Sequence, residues 1–398
     1  MQPAPGETCM TRPPGPRTRL IAPATARGRG RRTVNPALER GSTLLNDRAE
    51  DMRDGSLGPV YGLEGLAPQR ALAAALADLE GAHRTVLAPS GLAAVTLPLL
   101  ALLRPGDEAL ATDALYCPSR RFLTRFMAAR GVTTRFHDPD LGAAGIAALF
   151  GPATRLVLIE SPASLTFEMV DVAALAALAR ARGVLSMIDN TWAAGLAFRP
   201  LDHGVDVSVQ AATKYVAGHS DVLMGAVSVR DPALARTLDH AVEDLGWHVS
   251  PDDAWLALRG LRTLPVRMAA HAASAMVVAA WLAARPEVAE VLYPPLPGSP
   301  GHALWRRDYS GAAGLMGVVT RGWSESRARA FLNRLTLFGL GYSWGGFESL
   351  ITQETGQMAL RQTPPSLPGA LLRLHVGLED PADLIADLDQ AFSATADA

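Results

Sequence analysis

The chain has 398 residues, a formal charge of −2 and 48% apolar residues. A near-neutral balance with no long basic stretch after residue 32 excludes a nucleic-acid-binding face, and no run of about eighteen uncharged apolar residues marks a membrane span. Two cysteines, Cys9 and Cys117, form no CxxC pair; they are too few for a disulfide framework and fit a reducing cytoplasm.

Residues 1–64 read as an N-terminal arm. Its first 32 residues include "TRPPGPRTRLIAPATARGRGRR", rich in Arg, Pro and Gly and poor in acids, which predicts partial disorder. That stretch lacks the apolar core of a secretory signal. Residues 65–250 read as an α/β domain. "TVLAPS" predicts a strand and "GLAAVTLPLLALL" the helix after it. "EALAT" is a strand, and "PSRRFLTRFMAARG" an amphipathic helix closed by Gly131. "TTRFHD", "TRLVLIES", "VLSMIDN", "VDVSVQAAT" and "VLMGAVSVR" continue as strands. The helices "AAGIAALF" and "DVAALAALARARG" lie between, the second with Asp171 as N-cap and Gly183 as its stop. Such alternation predicts βαβ units around a largely parallel sheet. Residues 251–398 read as a smaller C-terminal α+β domain that includes a long connecting helix, 251–284, interrupted near Pro265. A turn-rich linker, "YPPLPGSPG", follows that helix.

Parallel sheets bind ligands outside the C-terminal ends of their strands, so the residues after each strand carry the functional reading. After "TVLAP" come Ser90, Gly91 and Leu92, whose backbone N–H groups at a helix start suit a phosphate. Neither GxGxxG nor GxxxxGK[ST] is present. Tyr116 follows "EALAT" and can stack on a planar group; Asp189 follows "VLSMI" and can pair with a cationic ring nitrogen. Thr213 and Lys214 follow "VDVSVQAA". Of 37 lysines and arginines, Lys214 is the single lysine. Arginine is never deprotonated in proteins, whereas a buried lysine can lose its proton and attack a carbonyl. A phosphate cradle, a ring, a carboxylate and one such lysine on a single sheet edge form the set that pyridoxal phosphate requires. No metal site is read from the sequence.

The motifs "ESPASLTFEMVDV", "MIDNTWAAG", "VSVQAATKYVAGHSD", "RGLRTLPVR", "YSWGGFESL" and "LRLHVGLEDPADLIADLDQAF" occur in order. In these the chain resembles the Cys/Met-metabolism family of fold-type I pyridoxal-phosphate enzymes, and within it the cystathionine β-lyase branch, from about residue 33 to the end. The resemblance implies that Lys214 binds the cofactor covalently and then shuttles protons, with Tyr116 stacked on the ring. It implies Asp189 at the ring nitrogen, Ser164 beside the ring, and Gly91, Leu92 and Thr213 at the phosphate. Tyr61 would reach the phosphate of a neighbouring subunit. Arg373 would clamp the substrate carboxylate in a pocket lined by Tyr342, Ser343 and Trp344. The family further implies a cytoplasmic dimer of dimers with shared active sites, acting on a small sulfur amino acid.

Three positions depart from the family pattern. Leu63 stands where many relatives carry a phosphate-binding arginine, and Arg53 or another of the chain's many arginines is the expected substitute. Ala211 replaces a serine, and Ser164 replaces an asparagine usual in γ-type relatives. Trp192 and Trp344 favour the β-lyase branch. The expected reaction is β-elimination of L-cystathionine to homocysteine, pyruvate and ammonia. The alternatives are a γ-lyase, γ-synthase or sulfhydrylase of the same family, or a non-catalytic amino-acid-binding relative.

Overall fold

A computed structural model describes residues 15–21 and 33–395. Most of the expected arm 1–32, with Cys9, lies outside the described residues. The short helix α1 (Pro16–Ile21) is the exception; it buries Leu20 and pairs Arg19 with Asp78.

Seven strands form the larger sheet. They are β1 (Arg84–Ala88), β2 (Glu108–Thr112), β3 (Thr133–His137), β4 (Thr154–Glu160), β5 (Leu185–Asp189), β6 (Val207–Gln210) and β7 (Gly225–Val229). Their order is β1-β7-β6-β5-β4-β2-β3, and only β7 runs against its neighbours. The central strands are buried on both faces, as near-continuous Val, Leu and Ile runs require. The flanking helices are α2 (Ala67–Glu80), α3 (Gly91–Leu102), α4 (Cys117–Arg121), α5 (Gly142–Ala148), α6 (Val172–Ala181) and α7 (Pro232–Leu245). Asp171 caps α6 as expected, its carboxylate accepting the Ala174 N–H. The expected helix 118–131 is wound in three pitches. After α4 the chain loosens into a π turn, Phe122–Met127, tightens into a 3₁₀ turn, Ala128–Arg130, and stops at left-handed Gly131.

Beyond the sheet, α8 (Pro251–Ala283) runs without a break. The interruption expected at Pro265 does not occur. Proline removes one intrahelical bond. Around it, the side chains of Thr263 and Arg267 both bond the Gly260 carbonyl, at 3.0 and 2.8 Å, and Pro265 itself is buried. By composition α8 is apolar enough to cross a membrane. In this fold its Leu261, Leu264, Ala275 and Val278 are fully buried in the core, and it packs on α2. A four-stranded antiparallel sheet follows, ordered β10-β11-β9-β8, from β8 (Val288–Leu292), β9 (Leu315–Thr320), β10 (Leu350–Gln353) and β11 (Leu371–His375). It carries α9 (His302–Asp308), α10 (Glu325–Leu332) and α11 (Pro381–Ser393). The expected linker 293–301 is anchored at its start, where buried Tyr293 donates its hydroxyl to the Ala313 carbonyl at 2.7 Å.

The two sheets meet where the loop after β6 lies against α8. A Cβ on Gly260 would stand 2.1 Å from the Ala217 carbonyl oxygen and 2.6 Å from that of Val216. Both contacts are backbone, so neither can swing away. Gly260→Ala is therefore expected to cost about 1–3 kcal/mol, read as a lower midpoint in denaturant unfolding. An unchanged midpoint would show that this junction yields freely.

Candidate active site

The parallel strands end on one edge, and Gly91, Leu92, Tyr116, Asp189, Thr213 and Lys214 all lie at or just past their ends. Ser90, at the end of β1, caps α3: its hydroxyl accepts the Ala93 N–H at 3.1 Å. Among the described residues the Gly91 and Leu92 N–H groups take no partner, and free first-turn amides suit a phosphate. Gly91 has no substitute here, because a Cβ would lie 2.4 Å from the Ala211 Cβ. Ala211 thus packs under the cradle, where the sequence suggested only a lost polar contact. Thr213 is tied to one residue, donating to the Met224 carbonyl at 3.1 Å and accepting the Met224 N–H at 2.9 Å.

Lys214 lies mostly buried beyond Thr213. Its Nζ donates to Ser343 Oγ at 2.6 Å and sits 5.2 Å from the centre of the Trp344 ring. Burial, then the Arg373 charge, pulls the ammonium down to about 8, against the opposing pull of Asp189. Ser343 adopts φ of 85°, a left-handed conformation that serine seldom takes, and Gly345 does the same. A Cβ on Gly345 would lie 2.9 Å from the Tyr215 nitrogen and 3.0 Å from the Lys214 carbonyl carbon. The loop from Ser343 to Gly345 is therefore folded tightly over the lysine.

Asp189 ends β5. One of its oxygens, Oδ1, accepts both the N–H (3.0 Å) and hydroxyl (2.5 Å) of Thr191; that hydroxyl in turn accepts the Ala211 N–H at 2.8 Å. Burial raises the Asp189 pKa and the Lys214 charge opposes the rise. Tyr116 stands half-exposed at the start of α4, its phenol raised by burial and then by Asp189 and Glu160. Arg373 projects from β11 with a mostly buried side chain. It donates weakly to the Ser343 carbonyl at 3.4 Å and lies 3.9 Å from Glu354. Burial lowers its pKa. A guanidinium so loosely held keeps its fork free for a carboxylate.

Other expected residues lie apart. Tyr61 is half-exposed in a turn whose N–H groups are capped by Glu64, and among the described residues no contact joins it to Lys214. Leu63 belongs to that same turn, and Arg53 is exposed in an earlier one. Tyr342, by contrast, lies near Arg373; it is 78% exposed and lines a cavity of about 310 Å³ with Asn333 and Gln353. Trp192 is a core residue: its Nε1–H bonds the Leu315 carbonyl at 3.1 Å and its ring meets Tyr309 edge-on. Of the two tryptophans that favoured the β-lyase branch, only Trp344 touches the site. Cys117 is half-buried at the start of α4.

Sequence reasoning missed Glu160. It ends β4 directly beside Asp189 in register. Its Oε2 accepts the Tyr116 N–H at 2.8 Å, and its Oε1 accepts the Ser164 hydroxyl. A carboxylate after an apolar strand was the available signal, the same one that revealed Asp189. Arg361 was missed as well; it bonds the Ser164 carbonyl at 3.2 Å and Glu168 at 3.0 Å, pinning the loop that holds Ser164.

These residues fit pyridoxal phosphate on their own chemistry. An amine with a depressed pKa, a buried carboxylate, an aromatic ring and two free amides over a glycine that cannot be replaced share one sheet edge. The family model for Cys/Met metabolism PLP-dependent enzymes matches residues 17–393. The chain belongs to this family. The relative from Bordetella avium, a cystathionine beta-lyase, is 46% identical over 88% of each chain. The cystathionine beta-lyase MetC of Escherichia coli is 42% identical, covering 90% of this chain and 93% of its own. Among solved structures, metB from Corynebacterium glutamicum superposes with a TM-score of 0.90 at 30% identity, over 96% of this chain and 98% of that one. As a member of this PLP-dependent family, the chain has a mostly parallel α/β fold consistent with fold type I.

The depressed lysine sets a pH dependence. Only the neutral amine attacks an aldehyde. The rate at which the cofactor-free protein captures pyridoxal phosphate is expected to rise with pH to a half-maximum near 8. Arg373→Gln removes a repelling charge, so its midpoint moves upward. The sign for stability follows. An unfolded lysine keeps its proton to about 10.5, so the folded state gains stability as pH rises from about 8 towards that value. Identical midpoints in both proteins would show that Arg373 does not act on the amine.

Proposed function

We propose that this chain is a carbon–sulfur β-lyase that cleaves L-cystathionine to homocysteine, pyruvate and ammonia. One observation carries the reading. The only lysine is a largely buried amine of depressed pKa, held by Ser343 between Asp189 and Arg373. Relatives named cystathionine beta-lyase, 42–46% identical over about nine-tenths of the chain, support the substrate. Trp344 beside the amine supports the branch.

In this reading Arg373 binds the substrate α-carboxylate as a two-pronged donor and fixes the Cα–H bond towards Lys214. Tyr342 stands at the entrance, while Ser343 and Trp344 line the pocket. The neutral Lys214 amine removes the α-proton. Bound pyridoxal phosphate supplies an electron sink for the pair left on the α-carbon, its ring nitrogen kept cationic by Asp189. Tyr116 would stack on the ring. The Gly91 and Leu92 amides, with Thr213, hold the phosphate. The Cβ–S bond then breaks with its electron pair on sulfur. Homocysteine leaves as the thiolate and takes up a proton; the released 2-aminoacrylate hydrolyses to pyruvate and ammonia. The Lys214 ammonium can return its proton to the departing products.

The site is completed by a second copy of the chain. Tyr61 sits in an arm with exposed Met52, Leu57 and Val60, and among the described residues no contact within its own chain directs it to Lys214. A neighbouring subunit receiving that arm would bury these side chains and gain Tyr61 at the phosphate, with Arg53 as the arm's candidate cation in place of Leu63.

Purified protein mixed with pyridoxal phosphate and L-cystathionine is expected to yield pyruvate and homocysteine by mass spectrometry. 2-Oxobutyrate with cysteine would replace the β-lyase reading by a γ-lyase one. Lys214→Arg is expected to lose at least about 10³-fold in turnover, because arginine supplies neither the nucleophile nor the base. Sharing of sites has its own test. Mixed oligomers of Lys214→Arg and Tyr61→Ala subunits should regain activity that neither variant shows alone. Silence from the hybrids would place Tyr61 outside the site.

A further inference from the structure

Glu160 is costly where it stands. It is half-buried, it faces a second half-buried carboxylate across one strand pair, and no salt bridge to it occurs among the described residues. Burying one unpaired carboxylate is expensive, and two side by side repel. Its hydrogen bonds do not by themselves demand a charge. The Tyr116 N–H and the Ser164 hydroxyl need only an acceptor, which a glutamine or threonine would supply. A fold selected for stability alone has no use for the acid.

We propose that Glu160 is a positioning residue of the active site, fixing Tyr116 and Ser164 with one side chain and sharing a single proton with Asp189. The inference rests on the cofactor reading above and goes beyond it. The two carboxyl groups end adjacent parallel strands, Glu160 opposite Asp189. Like charges so placed do not both ionise; one proton serves the pair. Both groups are raised by burial, Glu160 further by the Asp189 charge, and Arg361 only partly offsets this. Asp189 also faces Lys214, and the Tyr116 phenol lies near both acids. When a cationic ring nitrogen meets Asp189, Asp189 is the group that ionises and the proton stays on Glu160. A neutral Glu160 then donates to Ser164 Oγ in place of accepting from it. The Ser164 hydrogen is freed to turn towards the ring. Through the Tyr116 N–H, the same carboxyl holds the start of α4, and with it the stacking ring.

The test uses the full-length protein and two variants, Glu160→Ala and Glu160→Gln. Three quantities are read without substrate: the dissociation constant for pyridoxal phosphate, the visible circular dichroism of the bound cofactor, and the melting temperature of the cofactor-free protein. Glu160→Ala is expected to weaken cofactor binding by about tenfold or more and to diminish the dichroism, because ring and hydroxyl lose their anchor. Its cofactor-free melting temperature should fall only a little, since two hydrogen bonds to Tyr116 and Ser164 are lost while one half-buried acid is removed. With L-cystathionine, kcat falls and KM changes little, because Arg373 is untouched. The Gln variant has the shape of neutral Glu160: its carbonyl accepts from Tyr116 and its amide donates to Ser164. It should recover most of the dichroism and affinity lost in the Ala variant. Wild-type affinity and dichroism in both variants would overturn the proposal. So would a lowered cofactor-free melting temperature with neither of those altered, which marks a purely structural acid. Neither readout depends on which carbon–sulfur bond is cleaved, so an error in the substrate leaves the test intact.

Discussion

Everything at this site depends on keeping one amine buried and half-discharged. A lysine in water holds its proton far above neutral pH, and loss of solvent, aided by the Arg373 charge, brings Lys214 to about 8. The surrounding structure serves that end. The loop from Ser343 to Gly345 takes two left-handed residues in order to lie directly on the Lys214 backbone. Gly260 lets the turn after the lysine press against α8. His375, behind the same loop, is held down to about 3 by burial, so it stays neutral and adds no charge of its own. Its neighbour His271 is lowered for the same reason, and both rings pack on Tyr215 as apolar plates.

A second constraint comes from three acids at neighbouring strand ends: Asp113 after β2, Glu160 on β4 and Asp189 on β5. Each is used differently because each has different partners. Asp113 is held below the ordinary carboxylate range: burial raises it, but the Thr363 and Gln362 N–H groups and the Arg120 guanidinium outweigh that. It is an anchor that ties the segment before β11 to the large sheet. Asp189 has hydroxyl and amide donors on one oxygen only, which leaves the other for a cation. Glu160 has an amide and a hydroxyl and no cation in contact, so its proton is the cheapest of the three to retain. The gradient from anchored anion to shared proton runs along one sheet edge within three strands.

Much of this could be read in the sequence. Apolar strands placed Asp189, Lys214, Tyr116 and Gly91 on one edge because parallel topology leaves them no other place. The failures share a cause: each depends on a partner distant in the chain. Pro265 does not break α8: the helix runs through it with Pro265 buried, and the side chains of Thr263 and Arg267 bond back to the Gly260 carbonyl on the same stretch. By sequence Trp192 favours the β-lyase branch, yet its indole reaches a carbonyl on β9, away from the site. Ala211 looked like a lost contact until Gly91 was found against it. Glu160 was legible by the rule that found Asp189: a carboxylate at the end of an apolar strand.

The contrast between Lys214 and Arg267 explains why the chain needs its single lysine. Both cations are withdrawn from water on either side of the same loop. Arg267 is pulled down only to about 10 and stays charged. Its planar head spreads the charge and donates to the carbonyls of Gly260 and Val216, so burial does not force out a proton. Lys214 concentrates its charge on one nitrogen, finds a single hydroxyl as acceptor and faces Arg373, so the neutral form comes within reach near pH 8. An arginine at 214 would keep its charge whatever its surroundings did. A lysine at 267 would lose the second carbonyl and the planar fork that justify its burial. The two residue types are fitted to opposite tasks a few residues apart in space, one to remain a cation in the core and the other to stop being one.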